Sequence, residues 1–101
     1  MKIKINVPWI DHGNVTWREK HATVINKRWC AHAEGPRDWT LTHRMTGFSA
    51  GKGLRSFRKA QQLALELEKV YPPKRWTFTD PAKAKGMVKC KPVIARYEAW
   101  L

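Results

Sequence analysis

One amphipathic segment limits what this chain can fold into more than any other feature. Phe57, Ala60, Leu63, Ala64, Leu67, Val70 and Tyr71 recur at steps of three and four residues, the period of a helix with a single apolar stripe. Ser56 stands just before the run, where a hydroxyl can accept from a first-turn N–H. Pro72 and Pro73 stop it, since a proline restricts the residue before it and donates no backbone hydrogen bond. A helix over residues 56–71 must bury its stripe, and the segments around it offer strands.

Ile3, Ile5 and Val7 alternate with Lys2, Lys4 and Asn6, the period of two of a half-buried strand, which Pro8 is expected to end. Trp9 to Asn14 reads as a turn, and residues 15–17 as a short strand. Residues 22–33 carry Val24, Ile25, Trp29, Cys30 and Ala31 without breakers, then meet turn chemistry in Glu34, Gly35, Pro36 and Asp38. Trp39, Leu41, His43 and Met45 alternate with Thr40, Thr42 and Arg44, the clearest strand pattern in the chain. Thr46-Gly47 supplies a tight turn, so residues 22–50 are expected to form an antiparallel meander of two or three strands.

Beyond the helix, residues 75–79 suit a short strand. Asp80-Pro81 suits a helix start with Gly86 as its end, and Val93, Ile94, Tyr97, Trp100 and Leu101 have helical spacing after Pro92. The expected architecture is α+β in one domain, residues 1–101: a small antiparallel sheet of three to five strands packed against one main amphipathic helix, with short carboxy-terminal helical elements.

Charge bears on function. Twenty Lys and Arg against eight Asp and Glu leave a net charge of +12, with six Trp among the cations. At 43% hydrophobic residues the chain is too apolar for a disordered basic tail. Such a charge is most easily understood if a polyanion neutralises it, and nucleic acid, DNA or RNA, is the commonest one. The amino terminus lacks the apolar core of a secretory signal and no segment approaches the length of a membrane span, so a cytoplasmic protein with Cys30 and Cys90 as reduced thiols is expected.

Lys52, Arg55, Arg58 and Lys59 crowd the start of the helix, while Glu66 and Glu68 lie toward its end. Cations at a helix amino terminus oppose the macrodipole, at about 0.3–1 kcal/mol each when exposed. A phosphate would reverse that penalty, and Gly51 and Gly53 would let the backbone approach it; a solvated charged face is the plainer alternative. Lys83, Lys85, Lys89 and Lys91 form a second basic stretch that either continues such a surface or guards a strand edge. Gly51-Lys52-Gly53 lacks the spacing of a nucleotide-binding P-loop.

Trp29 and Trp39 are assigned to the core. Trp9, Trp17, Trp76 and Trp100 lie beside turns or ends, where an aromatic can either pack or stack on an unpaired base, with Arg28, Arg75 and Arg96 near by. Cys30, His32, His43 and Cys90 are zinc-ligand types without zinc-site spacing, and no metal or other cofactor is expected. His32, His43 and Asp38 can be read as an acid–base set, but His43 falls on the apolar phase of its strand and reads as a core histidine. No catalytic residue is nominated, and the protein is not expected to be an enzyme.

The order of features over residues 22–71 resembles short basic domains of phages and other mobile elements. It is also similar to the three-strands-plus-helix domains of the AP2 and integrase amino-terminal type: a strand ending in Ala33, then Trp39-Thr40-Leu41-Thr42-His43, Thr46-Gly47 and a capped helix. That resemblance implies a sheet entering a DNA groove, with Arg28, His32, Thr40, Thr42 and Arg44 as readers. The strand at residues 3–7 and the basic carboxy-terminal third depart from the pattern. The expected function is therefore non-catalytic nucleic-acid binding through phosphate neutralisation. The alternative is an inhibitor or modulator that binds an acidic face of a host protein or ribonucleoprotein, such as a defence nuclease or polymerase.

Overall fold

Each strand pairs antiparallel with the next in sequence, so the order across the sheet follows the order along the chain. The computed structural model describes the backbone of residues 1–98, with the side chains of these except Trp9, Ile10, Asp11, Pro81, Ala84 and Lys85. The strands are β1 (Lys2–Asp11), β2 (Asn14–Val24), β3 (Trp29–Gly35), β4 (Asp38–His43) and β5 (Ser49–Leu54). The helix α1 (Phe57–Val70) follows, then short 3-10 turns at Pro73–Trp76, Pro81–Gly86 and Val88–Cys90, and a second helix α2 (Lys91–Glu98). The expected α+β class, with one main helix on an antiparallel sheet and helical elements after it, is the observed one.

The first hairpin is longer than its sequence pattern announces. β1 does not stop at Pro8 but pairs through it, Pro8 opposite Trp17, because β1 is an edge strand and a missing N–H there breaks no ladder bond. His12 and Gly13 reverse the chain with φ of 49° and 83°, the doubly positive geometry that matches the twist of a two-residue hairpin. The expected strand at residues 15–17 is thus a fragment of an eleven-residue one.

The run at residues 22–33 is two strands. The Asn26 side-chain oxygen accepts from the backbone N–H groups of Arg28 (2.8 Å) and Trp29 (3.0 Å), a side-chain-closed turn that competes successfully with extension. β2 and β3 then pair only at Thr23 with Ala31 and Val24 with Cys30. The rest of the β1–β2 hairpin leaves the ladder and passes over one face of β3–β5. Val7 and Pro8 there meet His32, Thr40 and Thr42 across a cavity. The hairpin is seated at Gly47, whose Cα lies so close to the Asn6 carbonyl that a Cβ would collide with it. Gly47 also has φ of 78°.

The opposite face of β3–β5 carries Trp29, Ala31, Leu41 and Leu54 against Ala60, Leu63, Ala64 and Leu67 of α1. Trp76, Met87, Cys90 and Val93 close the same core from the carboxy-terminal segment. Ser56 caps α1 as its position predicts, its Oγ accepting from Lys59 N–H at 3.1 Å, a contact worth about 1 kcal/mol. Residues 75–79 are not a strand. Trp76 turns inward on a 3-10 turn, donates its ring N–H to the Tyr71 carbonyl at 2.9 Å and packs edge-on to Trp29 at 4.9 Å. Gly51 is buried on β5, where an added Cβ would sit 2.6 Å from Leu63 Cδ2; its smallness brings β5 onto α1 and does not serve the approach of an anion.

His43 is the core histidine its phase implies. Its Nε2 lies 2.6 Å from the Trp76 carbonyl, so it carries the proton and donates, and Nδ1 then accepts from the Thr46 hydroxyl at 3.0 Å. Burial pushes its pKa below the ordinary imidazole value, partly offset by that carbonyl. Among the described residues no helix is long and apolar enough to cross a membrane.

Candidate functional site

Lys52 near the end of β5, Arg55 in the connection, and Arg58 and Lys59 in the first turn of α1 are all exposed. The sequence-predicted cluster is therefore assembled at one end of the helix. The first turn holds no acidic residue, so the positive end of the helix dipole and these side chains project the same sign of potential. The backbone N–H of Lys52 donates to the Glu98 carboxylate at 3.2 Å, which ties the end of α2 to β5 beside the cluster.

Other predicted contacts are committed elsewhere. Arg28 is drawn to the α1 face: its Nε donates to Glu68 Oε1 at 2.7 Å, and Trp29 Nε1 donates to the same oxygen at 2.9 Å. Arg44 donates to the Asn26 carbonyl at 2.8 Å. Both guanidinium groups brace the β2–β3 turn and do not stand on a readable strand face. Thr40 and Thr42 do lie opposite Leu41, as their phase requires, yet they are 6% and 0% exposed. The hairpin covers the face that a groove-entering sheet would need open. Trp76 is buried and unavailable for stacking. Trp17 is 53% exposed, with one ring face stacked on Phe48 at 6.0 Å. The Trp9 side chain and Trp100 lie outside the described residues.

Between the hairpin and the covered sheet face lies a cavity of about 580 Å³. Val7 and Pro8 form its apolar wall, and His32, Thr40, Thr42 and Ser49 its polar one, while Glu34, Asp38 and Lys52 also line it. His32 is 4% exposed. Its Nε2 sits 2.8 Å from Glu34 Oε1, and Glu34 Oε2 is 3.5 Å from Lys20 Nζ. Among the described residues two buried side-chain atoms find no protein partner, His32 Nδ1 and Thr42 Oγ1, and both belong to this lining. Sequence reasoning places His32 and Thr42 on one face but misses the cavity, because no local pattern reports that a distant hairpin folds over that face.

His32 and Asp38 meet at this cavity, whereas His43 lies on the other side of the sheet, so the three do not form one acid–base set. Cys30 and His32 are likewise separated by the sheet from His43 and Cys90. Among the described residues no three of His, Cys, Asp and Glu come together as a metal-ligand group. Both thiols are free and buried, and burial raises the Cys30 pKa to about 11, which keeps it a thiol at neutral pH. Lys83, Lys89 and Lys91 are exposed on 3-10 turns and at the start of α2, so they guard no strand edge. Comparison of the chain with protein-family models, curated protein sequences and solved structures yields no match.

Proposed function

We propose that this protein is a non-catalytic nucleic-acid-binding protein that holds the phosphate backbone at the amino-terminal end of α1. The observation that carries the reading is the exposed cluster of Lys52, Arg55, Arg58 and Lys59 around a first helical turn with no carboxylate. Phosphate is the partner that converts this unfavourable charge placement into a favourable one, since it meets side-chain cations and the helix dipole together. The twelve-charge excess over the whole chain adds long-range attraction to any polyanion. Trp17, exposed beside Gly47, offers a stacking surface. The covered polar face of β3–β5 argues against a sheet inserted into a duplex groove. Two buried thiols suit the cytoplasm, where they stay reduced.

Fluorescence anisotropy with labelled duplex DNA, single-stranded DNA and RNA at several salt concentrations tests this. The wild-type protein should bind with an affinity that falls steeply as salt rises. Arg55→Ala with Arg58→Ala should weaken binding and reduce the magnitude of the log–log salt slope by about 2, roughly one for each phosphate that is no longer neutralised. Absence of binding to all three at low salt would reject the reading and direct attention to an acidic protein partner.

A further inference from the structure

The cavity beneath the β1–β2 hairpin has the size and chemistry of a ligand site. Its volume of about 580 Å³ lies in the range of about 300–1,000 Å³ typical of pockets that enclose small organic molecules. Its lining mixes an apolar wall, Val7 and Pro8, with hydroxyl, imidazole and carboxylate groups. Buried polar side chains in folded proteins are almost always paired, because an unpaired one forfeits its hydration without compensation. Here two unpaired atoms fall in one cavity, on His32 at 4% exposure and Thr42 at 0%.

The charges indicate which part of a ligand enters. Glu34 and Asp38 repel a phosphate, so an anionic group is unwelcome inside. The Glu34 carboxylate can only accept, so the His32 tautomer that pairs with it donates from Nε2 and leaves the Nδ1 lone pair facing the cavity as an acceptor. It therefore requires an N–H or O–H donor, and the Thr42 hydroxyl can give or take one further hydrogen bond. Lys52 belongs both to this lining and to the cation cluster at α1, so a strand whose phosphate is held at the cluster has its next base within reach of the cavity. On the other side, Gly47 lines the cavity and packs close to the Trp17 ring.

We infer that the cavity between the β1–β2 hairpin and the polar face of β3–β5 receives one unpaired nucleobase, with His32 Nδ1 and Thr42 Oγ1 bonding its polar edge and Lys52 holding the adjoining phosphate. The strand as source of that base rests on the nucleic-acid reading above. The protein then prefers single strands, because a paired base must first break its pairing and stacking to leave the duplex.

Two measurements test this separately from the phosphate reading. In the first, anisotropy compares a mixed-sequence single-stranded 12-mer with an abasic oligomer of the same length and charge. The base-bearing strand should bind about tenfold more tightly. Thr42→Val, which keeps the shape and removes an unpaired hydroxyl, should narrow that gap while leaving the salt slope and the unfolding midpoint unreduced. Equal affinity for both oligomers would overturn the base site and leave phosphate binding standing. In the second, adenosine and cytidine, which carry no phosphate, are titrated while NMR follows the His32 ring and Thr42 methyl signals. Saturable shifts at both in the wild-type protein, with the His32 ring shift lost in Thr42→Val, support the cavity even if neither oligomer binds, in which case the phosphate reading fails alone. No shift with either nucleoside, together with no preference for bases over abasic sites, rejects the site.

Discussion

Glu68 shows how one side chain can organise a turn forty residues away in sequence. Its Oε1 accepts from Arg28 Nε, Trp29 Nε1 and, at 3.4 Å, Asn26 Nδ2. Its side chain is only 11% exposed and that of Arg28 is 22% exposed, so the pair is far less screened than a surface bridge. Glu68→Ala leaves the Trp29 ring N–H and a partly buried guanidinium without an acceptor, and should cost about 2–3 kcal/mol in urea unfolding. Glu68→Gln, which keeps one acceptor oxygen, should lose less; equal stability of the alanine variant and wild type would remove Glu68 from the turn's support. Thr42 and His43 make a sharper contrast. Adjacent on one strand, they point to opposite faces; the histidine has both nitrogens paired and the threonine hydroxyl has none. The first belongs to the cavity, the second to the core.

The β1–β2 hairpin is the element on which the candidate base site depends. It is held by two residue pairs with β3 and by its contact at Gly47. Its inner residues Val7 and Ala22 are buried, while Val15 and Trp17 are exposed toward the turn. Gly47→Ala places a methyl group against the Asn6 carbonyl at a positive φ, and should destabilise the protein by about 1–3 kcal/mol. Hydrogen exchange should find the loss concentrated in β1 and β2, with α1 amides changed less; uniform loss of protection would mean that the hairpin is no separate unit. The helix α1 presents the reverse case, since its cap, its stripe and its double-proline stop are all local, and the observed Phe57–Val70 helix follows them.

Over the molecule as a whole, a buried neutral histidine and a twelve-charge excess act in the same direction as pH falls. The folded-state pKa of His43 is depressed, so the unfolded chain takes up its proton first. His43 thus contributes stability that is full above the ordinary imidazole pKa of about 6.5 and is lost as pH falls through that value toward the folded one. The urea midpoint should drop between pH 7 and pH 5, and the drop should be smaller in His43→Gln; an identical pH dependence in the two proteins would exclude His43 as a source. Much of this molecule is written locally in its sequence. Alternation in Trp39 to His43, the spacing of Ala60, Leu63, Ala64 and Leu67, and the Ser56 cap determine element types, the α+β class and the exposed cations at the start of α1, because periodicity and capping act over a few residues. Contacts that join distant segments were decided only by tertiary structure. These include the bonds from Glu68 to Arg28 and Trp29, the burial of Trp76 by Trp29, and the hairpin that covers Thr40 and Thr42. None of these leaves a local signature, since each depends on which surfaces a folded chain brings together and not on the order of residues within either one.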